Sequence, residues 1–380
     1  MQSLAANRFG LYNSIMGSEA FTPIQLRQFR QKLLFWFDEN ARDLPWRRTR
    51  DPYAIWVSEI MLQQTRVNAV LDHYARFMAR FPTIYALAKA QEPDVLAIWS
   101  GLGYYRRARM LHKAAQFAVE ELSGEMPETA AGLRVLPGVG EYTSAAIASI
   151  AFGDPAAAID GNVERVIMRL AAPLLQSGSQ PKAGALKAFI RHTAEQLLAR
   201  ERPGDFNQAM MELGATICLP KNPLCLQCPV QKLCHTRGEH PTLRRKEMRS
   251  KSVSYALLRR SNRKNEVEIL LEQRSHEASL MAGMWELPEV GHEDSDRLLL
   301  SVRHAITTTN YHVSILHFAA EETKLLPRRK AVRKWVAVSE LLNLPLTGLA
   351  RKVLKRTRIL PGHLSGELLR TGHPDASPFS

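Results

Sequence analysis

Cysteine is almost absent from this chain. Its 380 residues contain four, all between Cys218 and Cys234. That grouping excludes a framework of scattered disulfides, and the first residues show no secretory leader. No run of about 18 apolar residues occurs, so no segment reads as a membrane span. Acidic residues are the minority, 37 against 51 Lys and Arg, for a formal charge of +14. The balance points to a polyanionic partner, nucleic acid first, and is equally compatible with a generally basic enzyme. There is no single basic block. The cations recur as Arg42/Arg47/Arg48/Arg50, Arg106/Arg107/Arg109, Arg244/Arg245/Lys246, Arg328/Arg329/Lys330 and Arg351/Lys352/Lys355/Arg356.

What is present begins with those cysteines, spaced C-x6-C-x2-C-x5-C. Four grouped thiols in a long chain read as ligands of one metal centre. Thiolates suit an iron–sulfur cluster or a structural zinc. The single C-x2-C knuckle favours iron–sulfur and leaves zinc open.

The length suits two domains. From about residue 22 to 217 apolar residues recur at helical spacing, as in Leu26, Phe29, Leu33, Leu34 and Phe37 after Pro23. Trp56, Ile60, Val67 and Val70 continue that pattern, as do Val163, Val166, Ile167 and Leu170. Beyond a polar linker the pattern turns to short β-type runs at 253–258, 266–271, 312–318 and 334–338, with short helices expected at 339–344 and 349–355. The fold class expected is multidomain, an all-α domain followed by an α+β domain. The boundaries are a disordered tail at 1–21, a helical domain at 22–238 with the cysteine loop at 218–234, a linker at 239–251, an α+β domain at 252–360, and a disordered tail at 361–380.

Four strings carry candidate chemistry. Leu136-Pro137-Gly138-Val139-Gly140 is a glycine turn between helices, suited to bringing backbone N–H groups against a phosphate or simply to connecting helices. Asp160 ends an apolar run and precedes a helix starting near Asn162. It is a good N-cap, and equally a carboxylate held for a cationic reaction centre. Glu59 on a helix has Ile55, Trp56 and Leu62 on its face, surroundings that raise a carboxyl pKa and make a general acid; a solvated helix glutamate is the plainer alternative. Gly101-Leu102-Gly103-Tyr104-Tyr105-Arg106-Arg107 suits a wedge entering a base stack while arginines hold phosphates, or a core tyrosine beside a basic helix.

In order along the chain these strings, with Arg42-Asp43-Leu44-Pro45-Trp46-Arg47, the Trp56–Thr65 segment and Asn207-Gln208-Ala209-Met210-Met211-Glu212-Leu213-Gly214, resemble the helix–hairpin–helix DNA glycosylases with an iron–sulfur cluster, the MutY adenine glycosylases most of all. The resemblance implies one 4Fe–4S cluster on Cys218, Cys225, Cys228 and Cys234. It implies hydrolysis of the N-glycosidic bond of adenine opposite 8-oxoguanine or guanine in duplex DNA, leaving an abasic site. Glu59 would protonate N7 of a flipped-out adenine and Asp160 would stabilise the oxocarbenium ion, with Tyr142 and Asn162 in support. Arg47 and Glu212 would contact the adenine, and Gln64 and Tyr104 would enter the stack around the opposing purine. Arg42, Leu62, Thr65, Gly138, Val139 and Gly140 complete the expected DNA-binding set, and Lys221 and Lys232 would meet phosphates. Related lyases carry a lysine where this chain has Tyr142, so a monofunctional enzyme is implied. The alternatives are a non-catalytic lesion-binding protein and a bifunctional glycosylase/lyase.

Residues 251–360 resemble the family's Nudix-like domain, but the R-E-x-x-E-E helix that a working Nudix hydrolase needs is absent after Gly283, which implies recognition instead of pyrophosphate hydrolysis. Where many members carry Phe-Ser-His to read 8-oxoguanine, this chain has Thr308-Thr309-Asn310. A cytoplasmic, nucleoid-associated monomer with no membrane partner is the expectation.

Overall fold

The computed structural model describes residues 21–171, 183–238, 248–278, 280–291, 294–306, 309–327 and 331–361. The expected tails, apart from residues 21 and 361, most of the expected linker, and Thr308 lie outside these residues. The chain divides into two compact units. One takes in the described residues up to 90 and from 106 to 238, the other residues 91–105 and those from 248 onward.

In the first unit Pro23–Asn40 (α1) opens behind a capping box in which Thr22 and Gln25 exchange hydrogen bonds. Phe21, assigned to the tail by sequence, is 2% exposed in the core. Pro52–Leu62 (α2) is capped by Asp51 and buried from Tyr53 to Met61. A helix apolar all round belongs at the centre of its domain, and Glu59 is the one ionisable carboxyl it carries inside. Val67–Arg80 (α3) follows as a separate helix. The spacing of Trp56, Ile60, Val67 and Val70 had run the two together, but a turn at residues 63–66 breaks them apart. Ile84–Ala88 (α4) precedes the inserted segment, which itself holds Glu92–Trp99 (α5). Arg106–Glu121 (α6), Ala130–Leu133 (α7), Glu141–Ile147 (α8), Gly161–Ala171 (α9), Ala183–Leu197 (α10) and Pro203–Thr216 (α11) are the remaining α-helices among the described residues of this unit. Phe29, Leu33 and Phe37 of α1 meet Val163, Ile167 and Leu170 of α9 and Phe206, Met210 and Leu213 of α11 in one core, against which Cys218, Cys228 and Cys234 also pack.

The second unit is built on a mixed seven-stranded sheet. Its described strands are Arg249–Ser261 (β1), Val267–Gln273 (β2), Trp285–Glu286 (β3), Glu289–Val290 (β4), Leu298–Ile306 (β5), Thr309–Phe318 (β6) and Arg333–Ala337 (β7), in the order β3-β2-β1-β6-β5, with β4 on β1 and β7 on β2. β1 and β6 run parallel, from Arg249 beside Thr309 to Leu258 beside Phe318. Central β1 is buried on both faces. Tyr255 and Leu257 face a core shared with Leu349, Val353 and Leu354 of Gly348–Arg356 (α12), and Ala256 and Leu258 face Leu316, Phe318 and Leu326.

All-α plus α+β is therefore the fold class found. Three further points differ from the sequence reading. The linker ends sooner, because Arg249–Lys251 already pair in β1. β5 escaped the sequence reading because it is an edge strand in which Val302 alone is fully buried, so alternation is weak. Residues 91–105 were counted with the helical domain, yet they fold with the second unit. Ser100 Oγ and the Tyr105 hydroxyl both donate to Leu346 O, at 2.9 and 3.0 Å, and Arg351 Nε donates to Ser100 Oγ at 2.9 Å. No local pattern announces such long-range bonds. No helix among the described residues is long and apolar enough to cross a membrane.

Candidate active site

The first unit brings Glu59, Tyr142, Asp160, Asn162, Arg47 and Glu212 together. Glu59 is 5% exposed. Burial pushes its carboxyl up to about 7; the hydrogen bond from Tyr142 and the Arg47 charge pull the other way, while Asp160 adds to the rise. The Tyr142 hydroxyl donates to Glu59 Oε2 at 2.5 Å and lies 3.3 Å from Met211 Sδ. Burial, then the two nearby carboxylates, raises Tyr142 far above the usual tyrosine range, so it stays a donor.

Asp160 is the N-cap of α9. Its Oδ1 accepts from the backbone N–H of Asn162 and Val163 at 2.9 and 2.8 Å, and Oδ2 accepts from Asn162 Nδ2 at 2.9 Å. The capping reading of this residue is what the geometry shows, and the cap places the Asp160 side chain near Glu59. Asn207, a residue given no role from sequence, holds the run that delivers Asp160. Its Oδ1 accepts from Ala158 N, and its Nδ2 donates to Ala156 O and Ser149 Oγ. Gly214 lets α11 approach α9, since a Cβ there would lie 2.6 Å from Asn162 Cβ.

Glu212 is 1% exposed and fully engaged. Arg42 meets it with two parallel bonds at 2.6 and 2.7 Å, and Arg47 Nη2 donates to Oε2 at 2.9 Å. Burial alone would raise this carboxyl, but the two guanidiniums overcome it and hold it below its ordinary value. Glu212 thus fixes Arg47, whose guanidinium also lies over the Phe37 ring.

Gly138, at φ +80°, needs glycine twice over, because a Cβ would also strike Met110 Cβ at 2.8 Å. Leu136 is buried, Val139 donates back to Leu136 O, and Gly140 leads into α8. Gln64 and Tyr104, the expected stack-entry residues, are both exposed and both at positive φ, +54° and +48°. Leu62 and Thr65 flank Gln64, half-buried. Arg107 departs from expectation: its guanidinium turns inward onto carbonyls at the end of α2 and is not offered to phosphates. Lys221 and Lys232 are exposed. Thr309 and Asn310 open β6 in the second unit, half-buried, paired with Ile306 and Ala305 of β5.

All four cysteines are free and partly buried. Burial, then the neighbouring Cys234 and Cys218, raises Cys225, and burial lifts Cys228 to about 11 with Cys218, Cys234 and Cys225 adding to the rise. The four thiols lie on one short loop and make a soft donor set of the kind that a cluster takes. Among the described residues no three His, Cys, Asp or Glu side chains are arranged to hold a single metal ion. Arg169, buried, donates from Nη1 to Cys218 Sγ at 3.2 Å and from the same nitrogen to Leu219 O at 2.7 Å. Arg165, also missed from sequence, donates to Cys218 O at 2.8 Å and to Asn162 Oδ1 at 2.9 Å, so the cysteine loop and the Asp160 cap share one guanidinium. The signal for it was its i+3 position from Asn162 on one helix face.

Residues 57–182 match the HhH-GPD superfamily of base excision DNA repair proteins. The chain belongs to that superfamily. It is 49% identical to the adenine DNA glycosylase of Homo sapiens over 222 residues, which are 56% of this chain and 40% of the human protein. The adenine DNA glycosylase of Arabidopsis thaliana is 36% identical over 315 residues, 72% of this chain and 49% of that protein. The chain therefore spans about half or less of the length of these relatives. A solved structure of a thermostable thymine-DNA glycosylase is 31% identical, with a TM-score of 0.50, over 56% of this chain and 96% of that one.

Proposed function

We propose that this superfamily member is a monofunctional adenine DNA glycosylase that acts as a monomer on duplex DNA, removing adenine opposite 8-oxoguanine or guanine. The observation that carries the reading is the buried Glu59 bonded to Tyr142 at the position where related lyases hold a nucleophilic lysine. Resemblance to the adenine DNA glycosylases supports the choice of base.

In this reading adenine leaves the stack and enters the pocket beside Glu59. Glu59, protonated near neutral pH, gives its proton to N7. The N-glycosidic electron pair departs with the base, and positive charge grows on the sugar ring. Asp160, locked by three hydrogen bonds, faces that charge without reorganising. Water then adds to C1′ and its proton restores the acid form of Glu59, leaving an abasic site. Arg47, anchored by Glu212, lines the base pocket, and Glu212 acts by holding it. The hairpin at Gly138–Gly140 and the exposed Lys221 and Lys232 grip phosphates, while Gln64 and Tyr104 enter the stack. Thr309 and Asn310 are the second unit's candidates for reading the opposing purine, in what we take to be a Nudix-like recognition domain.

The thiols of Cys218, Cys225, Cys228 and Cys234 fit a 4Fe–4S cluster as four free, soft donors on one short loop. When bound, a cluster would tie the four cysteines together and so would hold the loop carrying Lys221 and Lys232. Protein purified without oxygen is expected to hold about four irons per chain, and iron-free protein prepared by chelation should lose DNA affinity before it loses the fold of the second unit.

The deciding test is single-turnover incubation with duplexes bearing one adenine opposite 8-oxoguanine, guanine, cytosine or thymine, developed with alkali. Release opposite 8-oxoguanine, slower release opposite guanine and no borohydride-trapped adduct support the proposal. A cluster-loaded protein that releases nothing sinks it. In the same assay Asp160→Asn separates charge from capping. Asn caps a helix as well as Asp, so stability should change by less than about 1 kcal/mol, while release slows by about a hundredfold or more. A rate near the parent's would remove Asp160 from the chemistry.

A further inference from the structure

Gln64 sits in a tight turn that its own residue type disfavours. Thr65 N–H donates to Leu62 O at 3.1 Å across Gln63 (φ −54°, ψ 116°) and Gln64 (φ +54°). These angles describe a type II turn, which ordinarily carries Gly or Asn at its third position. A type I turn joins the same four residues after a flip of the peptide between Gln63 and Gln64. That flip relieves the positive φ and sends both the Gln63 carbonyl and the Gln64 side chain elsewhere. Something must hold the less comfortable form.

The contacts of Arg107 identify it. Its Nη1 donates to Ile60 O at 2.7 Å, to Met61 O at 3.0 Å and to Gln63 O at 2.5 Å, and its Nη2 donates to Thr65 Oγ1 at 3.1 Å. The first two bonds cap the end of α2. The third grips the very carbonyl whose direction distinguishes the two turns, and the fourth grips the residue closing the turn. Thr65 Oγ1 donates in turn to Gln63 O at 3.2 Å, and Gln63 Nε2 reaches Thr143 Oγ1 at 3.2 Å, so the peptide before Gln64 is tied from several sides.

We infer that Arg107 is a positioning residue that locks the Gln64 turn in its strained form and so presents the exposed Gln64 side chain ready-made for insertion beside the opposing purine. The inference rests on the proposed action on duplex DNA. A planar guanidinium can serve several carbonyls and a hydroxyl at fixed angles, and a lysine in its place would serve fewer. Backbone strain of this kind marks a segment whose shape is used.

The test places 2-aminopurine next to the 8-oxoguanine opposite adenine, so that insertion unstacks it and fluorescence rises on binding. Gln64→Ala should lose most of the rise and bind about tenfold more weakly, the size of one stacking contact. Arg107→Met should match that loss although Gln64 is intact, the double variant should be no worse than either single one, and Arg107→Lys should recover part of the signal. If the Met variant does not fold by circular dichroism, the Lys variant carries the same comparison with Gln64→Ala. An undiminished rise in the Arg107 variant, or losses that multiply in the double variant, overturns the inference while wild-type release of adenine continues. A wild-type protein that neither releases adenine nor raises the fluorescence overturns the proposed function and this inference with it.

Discussion

On the proposed function, Glu59→Gln is expected to bind mismatched duplex as tightly as the parent and to release adenine about a thousandfold more slowly or worse. The amide keeps the shape of the carboxyl and an oxygen for the Tyr142 hydroxyl, so the pocket survives, but it has no proton to give N7. Gel-shift affinity beside the single-turnover rate decides the matter, and a rate within a few fold of the parent would dismiss Glu59 as the acid. The pH profile supplies a second arm. The acid form of a group pushed up to about 7 is populated below that pH and lost above it. Release by the parent should be level in mild acid and fall by about tenfold per unit well above pH 7. The residual rate of the variant should lack that inflection.

The same substitution should make the protein more stable at alkaline pH. Glu59 titrates near its ordinary 4.5 in the unfolded chain and near 7 in the folded one. Between those values the folded state keeps a proton that the unfolded state has lost. Unfolding free energy therefore falls as pH rises from 4.5 to 7, and the deficit persists above 7. A difference of that size corresponds to about 3 kcal/mol. Urea unfolding should show Glu59→Gln stabilised by up to that amount at pH 8 and unchanged at pH 4. Equal stabilities at pH 8 would mean that burial costs this carboxyl nothing.

How far all this could be read from the sequence differs by residue. Glu59 was legible because three neighbours at helical spacing are apolar, and a helix repeats its face every three or four residues. Asp160 was legible because capping is local, decided within three residues. The cysteines were legible as one group because all four fall within a single short stretch. What escaped was set by contacts made across the chain. Arg107 reads as one more cation in a basic run, and nothing within that run shows that it serves carbonyls more than forty residues earlier. The segment at 91–105 reads as another helical stretch because its bonds to Leu346 have no local signature. β5 was lost because an edge strand with a single buried residue does not alternate.

Glu212 should respond in the opposite sense to Glu59, although both are carboxyls buried in one site. Burial raises the Glu59 carboxyl, whereas Arg42 and Arg47 hold that of Glu212 below its ordinary value. Removing one member of a buried ionic group leaves the others uncompensated, so Glu212→Ala should cost about 3–5 kcal/mol at pH 7. Arg42 is partly exposed, and its share of that loss is softened by solvent. Release of adenine should fall too, because Arg47 loses its anchor. Glu212→Gln keeps an acceptor oxygen for one arginine and should lose less on both counts. The pH dependence checks the sign. A carboxylate held below its ordinary 4.5 by guanidiniums stabilises the fold above that value, and the contribution disappears as pH falls through its folded pKa. The gap between parent and Glu212→Ala should therefore be widest at neutral pH and narrow below pH 4.5. A gap under about 1 kcal/mol at pH 7 would place this pair of arginines among the surface ion pairs that contribute little, and the role of Glu212 in holding Arg47 would fall with it.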